Sequence, residues 1–316
     1  MSVLSKPYFH DEEAAHAHLE GVLWPNGPVC PHCFEKVRIS KIKANPAKRI
    51  RYGLYKCGAC KRQFTVKIGT VFEHGRIPLH KFLQAVHLLC SSKKGISAHQ
   101  LHRVLEVQYK TAWFLAHRIR EAMRSGDLSP MGGPQGIVEA DETFIGRLEG
   151  MPKPDRRGKR GGGGAQSYKN TILTLVERGG KARSFHIEST TVAQIVPIVR
   201  ANIKRESRLM TDEARHYVQV GKWFAEHGSV EHSRDEYVRG DVHSNTVEGY
   251  YSIFKRGMKG VYQHCSEKHL HRYLAEFDFR YNNRSALGVE DQERSGNALA
   301  GMKGKRLTYR GTDRQA

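Results

Sequence analysis

Two cysteine pairs, Cys30-Pro-His-Cys33 and Cys57-Gly-Ala-Cys60, limit what this chain can fold into more than any other feature. Each pair puts two thiols on one tight turn, and 23 residues lie between Cys33 and Cys57, slightly more than the usual spacing of a four-cysteine zinc site. Two such turns fill all four corners of a tetrahedral Zn²⁺ shell, which leaves no position for water and makes the metal structural. The reading is a zinc ribbon over residues 28–72 that holds up a basic hairpin. His32, inside the first pair, is not needed as a ligand. A disulfide framework fits less well, because the polar, acidic start MSVLSKPYFHDEEAAHAHLEG is no secretory signal and no run approaches the roughly 18 apolar residues of a membrane helix. The expectation is a cytoplasmic protein with no membrane partner, where paired cysteines bind metal. Cys90 and Cys265 stand singly in apolar-periodic segments and read as small buried residues.

Around the ribbon the pattern changes several times. Residues 1–27 read as a short helix ended by Trp24-Pro25-Asn26-Gly27. From 78 to 125 the apolar period is helical in three segments, through Phe82, Val86 and Leu89, then Leu101, Val104 and Leu105, then Ala112, Leu115, Ala116, Ile119 and Met123. A tight turn at Glu106 to Gln108 precedes the third, as in a helix-turn-helix unit. Residues 136–285 give a mixed α/β order: a strand Ile137 to Ile145, a hairpin turning at Gly179-Gly180, a helix near Val192 to Arg205, a strand Arg208 to Thr211, a helix near Glu213 to Gln219, a weak strand near Ser229 to Glu231 and two long helices, Thr246 to Gly257 and Ser266 to Arg284. The loop Arg147 to Asn170 holds seven Lys and Arg, and residues 286–316 read as a polar tail. The fold class is thus α/β and multidomain. With 52 Lys and Arg against 32 Asp and Glu, the net charge of +20 favours a polyanion, nucleic acid first.

Three carboxylates stand out by their setting. Asp141 ends a strand in IVEADETFIG, Asp212 follows an apolar run in LMTDEARHY, and Glu248 lies in HSNTVEGYYSIFK, with 35 residues between it and Asp212. Singly each has a structural reading, and Asn245-Thr-Val-Glu248 has the form of a capping box. Together they suit phosphodiester chemistry, in which two divalent ions about 4 Å apart stabilise the attacking and leaving oxygens and oxygen ligands suit Mg²⁺. Lys255 follows Glu248 by two helical turns and so can face the same side. Glu139 and Glu142 flank Asp141, and strand alternation is expected to send both to the opposite face.

These residues carry a resemblance. The cysteine pairs, the helical unit, VEADETFIG, LMTD and the run from His243 to Arg284 resemble the ISXO-type zinc-ribbon transposases of bacterial insertion sequences, over about Gly21 to Arg284. The resemblance implies an RNase H-like catalytic domain whose DDE triad binds two Mg²⁺, with Mn²⁺ able to substitute. Asp141 and Asp212 match the first two acids; Glu248 is the expected third, with Asn245, one turn earlier, as the alternative; Lys255 steadies the DNA backbone. It implies a double-stranded DNA partner, both element ends and target, and a homo-oligomer on DNA. The ribbon and the third helix, with Arg118, Arg120 and Arg124, are expected to grip the terminal repeats. A same-fold nuclease without strand transfer and a non-enzymatic DNA-binding regulator are the rival readings.

Overall fold

Asp11 starts the first long helix: its carboxylate accepts the Ala14 amide at 2.7 Å, and Glu12 and Glu13 follow in the first turn, where the helix dipole favours negative charge. This helix, α1 (Glu12–Leu23), is preceded by two short 3₁₀ turns and buries Ala15, His16, Leu19 and Leu23. The computed structural model describes residues 2–150, 168–230, 236 and 238–308. It falls into two units, one made of the residues up to Arg124 with those from Val289 onward, the other of Ser125–Gly288.

In the first unit, β1 (Ile39–Lys41), β2 (Tyr55–Cys57) and β3 (Gln63–Phe64) form an antiparallel sheet in that order. Its small core is Cys30, Tyr55, Cys57 and Phe64, with Trp24 edge-on to both rings at 5.4 and 5.9 Å. Then come α2 (Leu79–Ser91), α3 (Ala98–Leu105) and α4 (Tyr109–Met123). Ser97 caps α3 through the Gln100 amide, and Glu106 ends it in the left-handed region at φ 52°. Leu101, Leu105, Ala112 and Leu115 pack inward, whereas Val104, expected in the apolar stripe, is 54% exposed.

The second unit is built on a five-stranded sheet. Its strands are β4 (Ile137–Ile145), β5 (Asn170–Glu177), β6 (Ala182–Ile187), β7 (Arg208–Thr211) and β8 (Glu226–Ser229), in the order β6-β5-β4-β7-β8. β4, β5 and β6 are antiparallel, while β7 runs parallel to β4 and β8 parallel to β7. Alternation along β4 divides the helices between the two faces. Val138 and Ala140 pack with α5 (Val192–Asn202) and α6 (Arg215–Gly221), and Ile145 with α7 (Asn245–Gly257) and α8 (Glu267–Asn282). The last sheet strand begins three residues earlier than the sequence suggests, and a two-stranded ribbon, β9 (Val238–Arg239) with β10 (Val242–His243), has residues too few for a readable alternation. Of the basic glycine-rich loop, residues 151–167 lie outside the described residues.

The end of the chain is not the polar tail that its composition suggests. Within 286–316 the chain forms α9 (Asp291–Ala300), which packs on α2 and completes the first unit. Ala298, Leu299 and Met302 are buried, and Arg294 donates to the Cys90 carbonyl at 3.0 Å while pairing with Asp291 at 2.7 Å. Lys305 donates to the Ala122 carbonyl at 2.9 Å and the Gly304 amide to that of Gly69 at 2.8 Å. Few apolar residues are needed because the cationic side chains bind backbone carbonyls, and that low apolar content hides the element in the sequence. No described helix is long and apolar enough to cross a membrane.

Candidate active site

The four cysteines meet. Their sulfurs all lie within 4.8 Å of one another, with Cys30–Cys60 at 3.7 Å and Cys33–Cys57 at 3.6 Å. A Zn–S bond of about 2.3 Å gives a tetrahedral edge of about 3.8 Å, so the cluster fits Zn²⁺ as it stands. Backbone N–H groups of Cys60 and Ala59 hold the Cys57 thiol down at about 7. The Glu35 amide favours the Cys33 thiolate, but burial and three neighbouring thiols push that group up to about 12. Four thiols this close cannot all ionise without a cation. His32 is not in the cluster.

At the other candidate site, strand geometry delivers the acids. Asp141 does not end its strand as expected: it is the fifth of the nine residues of β4, opposite Thr174 of β5 and two residues beyond the last pairing of β4 with β7, while Asp212 directly follows β7, the parallel neighbour of β4. Asp141, Asp212 and Lys255 line one cavity of about 490 Å³, together with Glu142, His216 and Lys169. Glu248, on α7, does not line it, yet its charge reaches Asp141. Burial first, then the charges of Glu142, Asp212 and Glu248, push the Asp141 carboxyl up to about 7 against the Glu142 amide, which donates to it at 2.7 Å. Nothing brings Asn245 to the cavity: it is exposed, and its amide faces His243 Nδ1 at 3.4 Å.

The capping box does not form as the sequence suggests. Asn245 is the first residue of α7 and Ser244 its cap, and the Ser244 hydroxyl donates to Glu248 at 3.0 Å. The true cap comes from β4. Glu139 accepts the Thr246 and Val247 amides at 2.8 and 2.9 Å, the Thr246 hydroxyl at 2.8 Å and Arg178 Nε at 2.6 Å. Expected on the opposite face, Glu139 in fact shares the face of Asp141, because the two are two residues apart. One turn further along, Tyr251 donates to the Asp141 carbonyl at 2.5 Å, and the Lys255 ammonium stands 5.8 Å from the Tyr251 ring. Residues 248, 251 and 255 thus fall at helical spacing along one side of α7, which Tyr251 ties to β4.

Glu142 does point the other way, toward α6, yet it still borders the cavity. It accepts from the buried Tyr217 hydroxyl and contacts His216 Nε2 at 3.2 Å. Burial pulls the His216 ring down, but the hydrogen bond and charge of Glu142 and the charge of Asp212 outweigh it and raise its pKa. His216, Lys169 and Tyr251 are not singled out by the sequence pattern; the one local signal for His216 is its place four residues after Asp212, at the start of α6. Arg118 and Arg120, expected to offer charge to a duplex, are 9% and 2% exposed, with Arg118 stacked over Phe114 at 4.7 Å. Only Arg124 of the three is exposed, 3.6 Å from Glu121. They are interior because the second half of α4 is packed on nearly every side.

The donor set around the cavity is carboxylate oxygen, clustered enough to oppose ionisation of Asp141, which suits a hard divalent cation. The carboxylates stand further apart than the thiols: among the described residues only the cysteines bring three or more ligand atoms within 4.8 Å.

Residues 134–282 match the ISXO2-like transposase domain and residues 10–63 the transposase zinc-ribbon domain, which takes in α1 as well as the ribbon. The chain is 30% identical over 286 residues to a protein of the transposable element ISH50 of Halobacterium salinarum, covering 86% of this chain and 91% of that protein. Among solved structures it is similar to the Mos1 transposase paired-end complex with left transposon end, at 15% identity and TM-score 0.28 over 72% of this chain and 77% of that one. It is likewise similar to the Mos1 strand transfer complex, at 14% identity and TM-score 0.26 over 75% and 82%. With both of its family domains and nine-tenths of an insertion-element relative matched, the chain belongs to the ISXO2-like, zinc-ribbon transposases of insertion sequences.

Proposed function

We propose that the protein cuts DNA at the ends of its own insertion sequence and joins the freed 3′ ends to target DNA, through an RNase H-like domain. The observation that carries this reading is the convergence of Asp141 from the middle of β4, Asp212 from the end of β7 and Lys255 from α7 on one cavity, although they are far apart in sequence. The sheet order, three antiparallel strands continued by two parallel ones, supports the RNase H-like reading. Asp141 and Asp212 would hold two Mg²⁺ or Mn²⁺, with Glu248 completing the set. Bound there, the ions supply activation of the attacking oxygen and stabilisation of the leaving one.

The chain's own groups do the rest. Glu139 and Tyr251 fix α7 so that Glu248 and Lys255 stay in register with Asp141. Lys255 offers an ammonium to the DNA phosphates. Glu142 takes donors from Tyr217 and His216, which keeps α6 packed beneath Asp212. DNA recognition is assigned to the zinc ribbon and to the exposed start of α4, Gln108 to Lys110, not to its buried arginines. The protein is placed in the cytoplasm, at the nucleoid, and acts there as a multimer.

Incubating the purified protein with Mg²⁺, a labelled duplex carrying the element's end and a plasmid tests this. Covalent joining of label to plasmid is expected; nicking alone would indicate a nuclease, and a mobility shift without cleavage a regulator. Glu248→Gln is expected to abolish joining and Asn245→Ala to leave it within a few-fold; the reverse pattern would move the third role to Asn245.

A further inference from the structure

The ribbon-bearing unit contains a second cleft, largely apolar in its walls but bordered by cationic side chains. A cavity of about 550 Å³ lies between α1, residues 44–52 of the ribbon and the segment Thr65 to Gly75. It runs on into a space of about 690 Å³ bordered by Arg76, Pro78 and His80, and the two share Glu12, Arg51, Lys67 and His74. Arg49, Arg51 and Arg76 line it from exposed positions, and among the described residues none of them has a side-chain hydrogen bond or ion pair.

The two acids present are already engaged. Glu12 accepts the Leu79 and His80 amides at 2.8 and 3.2 Å and the His80 ring at 2.9 Å. Glu73 accepts the Gly69 amide at 3.2 Å and pairs with His74 at 3.2 Å. Neither lies within ion-pair distance of Lys67, whose ammonium donates to the Gly75 carbonyl at 3.0 Å and stands 5.6 Å from the Phe82 ring. An ammonium has three donors, so two remain for a ligand. Burial lowers the Lys67 pKa, Glu12 counters that, and the charges of Arg51 and Arg118 lower it further. His16, lining the same cavity and 8% exposed, has no hydrogen-bond partner for Nδ1 among the described residues.

We propose that this cleft binds the phosphodiester backbone of DNA, with Lys67 as the inner contact and Arg49, Arg51 and Arg76 as the rim. The proposal rests on the DNA reading given above and adds a site to it. A phosphate brings acceptor oxygens for the unused ammonium donors and the guanidinium forks, and its charge relieves the crowding of cations. The contact is to backbone, so it sets affinity and register without selecting sequence.

Fluorescence anisotropy on the full-length, zinc-loaded protein tests it, using labelled duplexes of equal length, one the element's end and one unrelated, between about 50 and 200 mM salt. Arg51→Ala/Arg76→Ala, and separately Lys67→Met, which keeps the stem against Phe82, are expected to weaken both duplexes alike, by on the order of tenfold. Each cation removed should lower the salt slope by about one. Parent-like affinity and slope in the folded double arginine variant would overturn the cleft while leaving the transposase reading intact, as would a loss confined to the element's end. A parent protein that binds neither duplex would remove the DNA reading itself. If Lys67→Met fails to fold, the double arginine variant alone distinguishes these outcomes, since both arginines are exposed.

Discussion

Asp141 shows how one side chain records both the folding cost and the chemistry of the site. Its carboxyl is raised from 3.8 to about 7 by burial and three neighbouring acids, so between those values the folded protein holds a proton that the unfolded chain has released. Its contribution to stability is therefore full below about pH 4 and is lost as pH rises through 7. Without divalent ions, melting temperature should fall over that interval. Asp141→Asn should flatten the fall and stabilise the metal-free protein by on the order of 1 to 3 kcal/mol at pH 8, while ending activity; a parallel melting profile for the two proteins would contradict the assignment of the shift. Asp141 and Asp212 are legible in the sequence because each follows an apolar run in a distinctive local context, although only Asp212 stands at a strand end and Asp141 lies mid-strand in β4. Glu139 is not: its partners, Thr246 and Val247, lie over a hundred residues away, and only the pairing of α7 with β4 reveals that it caps that helix.

At the scale of elements, α7 depends on that cap. Replacing Glu139 by Gln leaves Arg178 and two amides short of a buried carboxylate. It should cost about 2 to 4 kcal/mol in thermal or denaturant unfolding and reduce strand joining more than DNA binding. The turn between α3 and α4 carries a smaller penalty, since Glu106 adopts φ 52° without being glycine. Glu106→Gly should leave the fold intact and raise stability by about 0.5 to 1 kcal/mol, read from the denaturant midpoint; destabilisation would mean that the loss of the side chain outweighs the relief of strain. The helices of 78–125 are readable from period alone because apolar side chains repeat on one face. Their exposed surface is not, because a basic residue is solvent-facing by default in a sequence pattern, whereas Arg118 and Arg120 fill the interior side of α4.

The whole molecule departs most from its sequence pattern at its end, where a segment poor in apolar residues returns as α9 to complete the unit begun by the ribbon. Deleting residues from Val289 onward removes no residue of the acidic cavity, yet it uncovers the face of α2 on which α9 packs. That deletion should weaken DNA binding at least as much as it weakens metal binding; intact DNA affinity in the truncated protein would show that the ribbon-bearing unit stands without α9. The sheet of the second unit is largely visible in its alternation of strands and helices. The ribbon is visible in four cysteines, while the cationic cleft beside it is not, since Lys67 and the arginines of 49–76 converge only once α1 packs against the loop. The proposed function depends most on the binding of divalent ions by Asp141 and Asp212 for DNA strand transfer. Its most direct test is covalent joining of a labelled element end to plasmid in Mg²⁺ by the parent, Asp141→Asn and Asp212→Asn proteins at matched DNA occupancy: joining by the parent and loss of at least about a thousandfold in both variants is the expected result, and joining retained by either variant would contradict it.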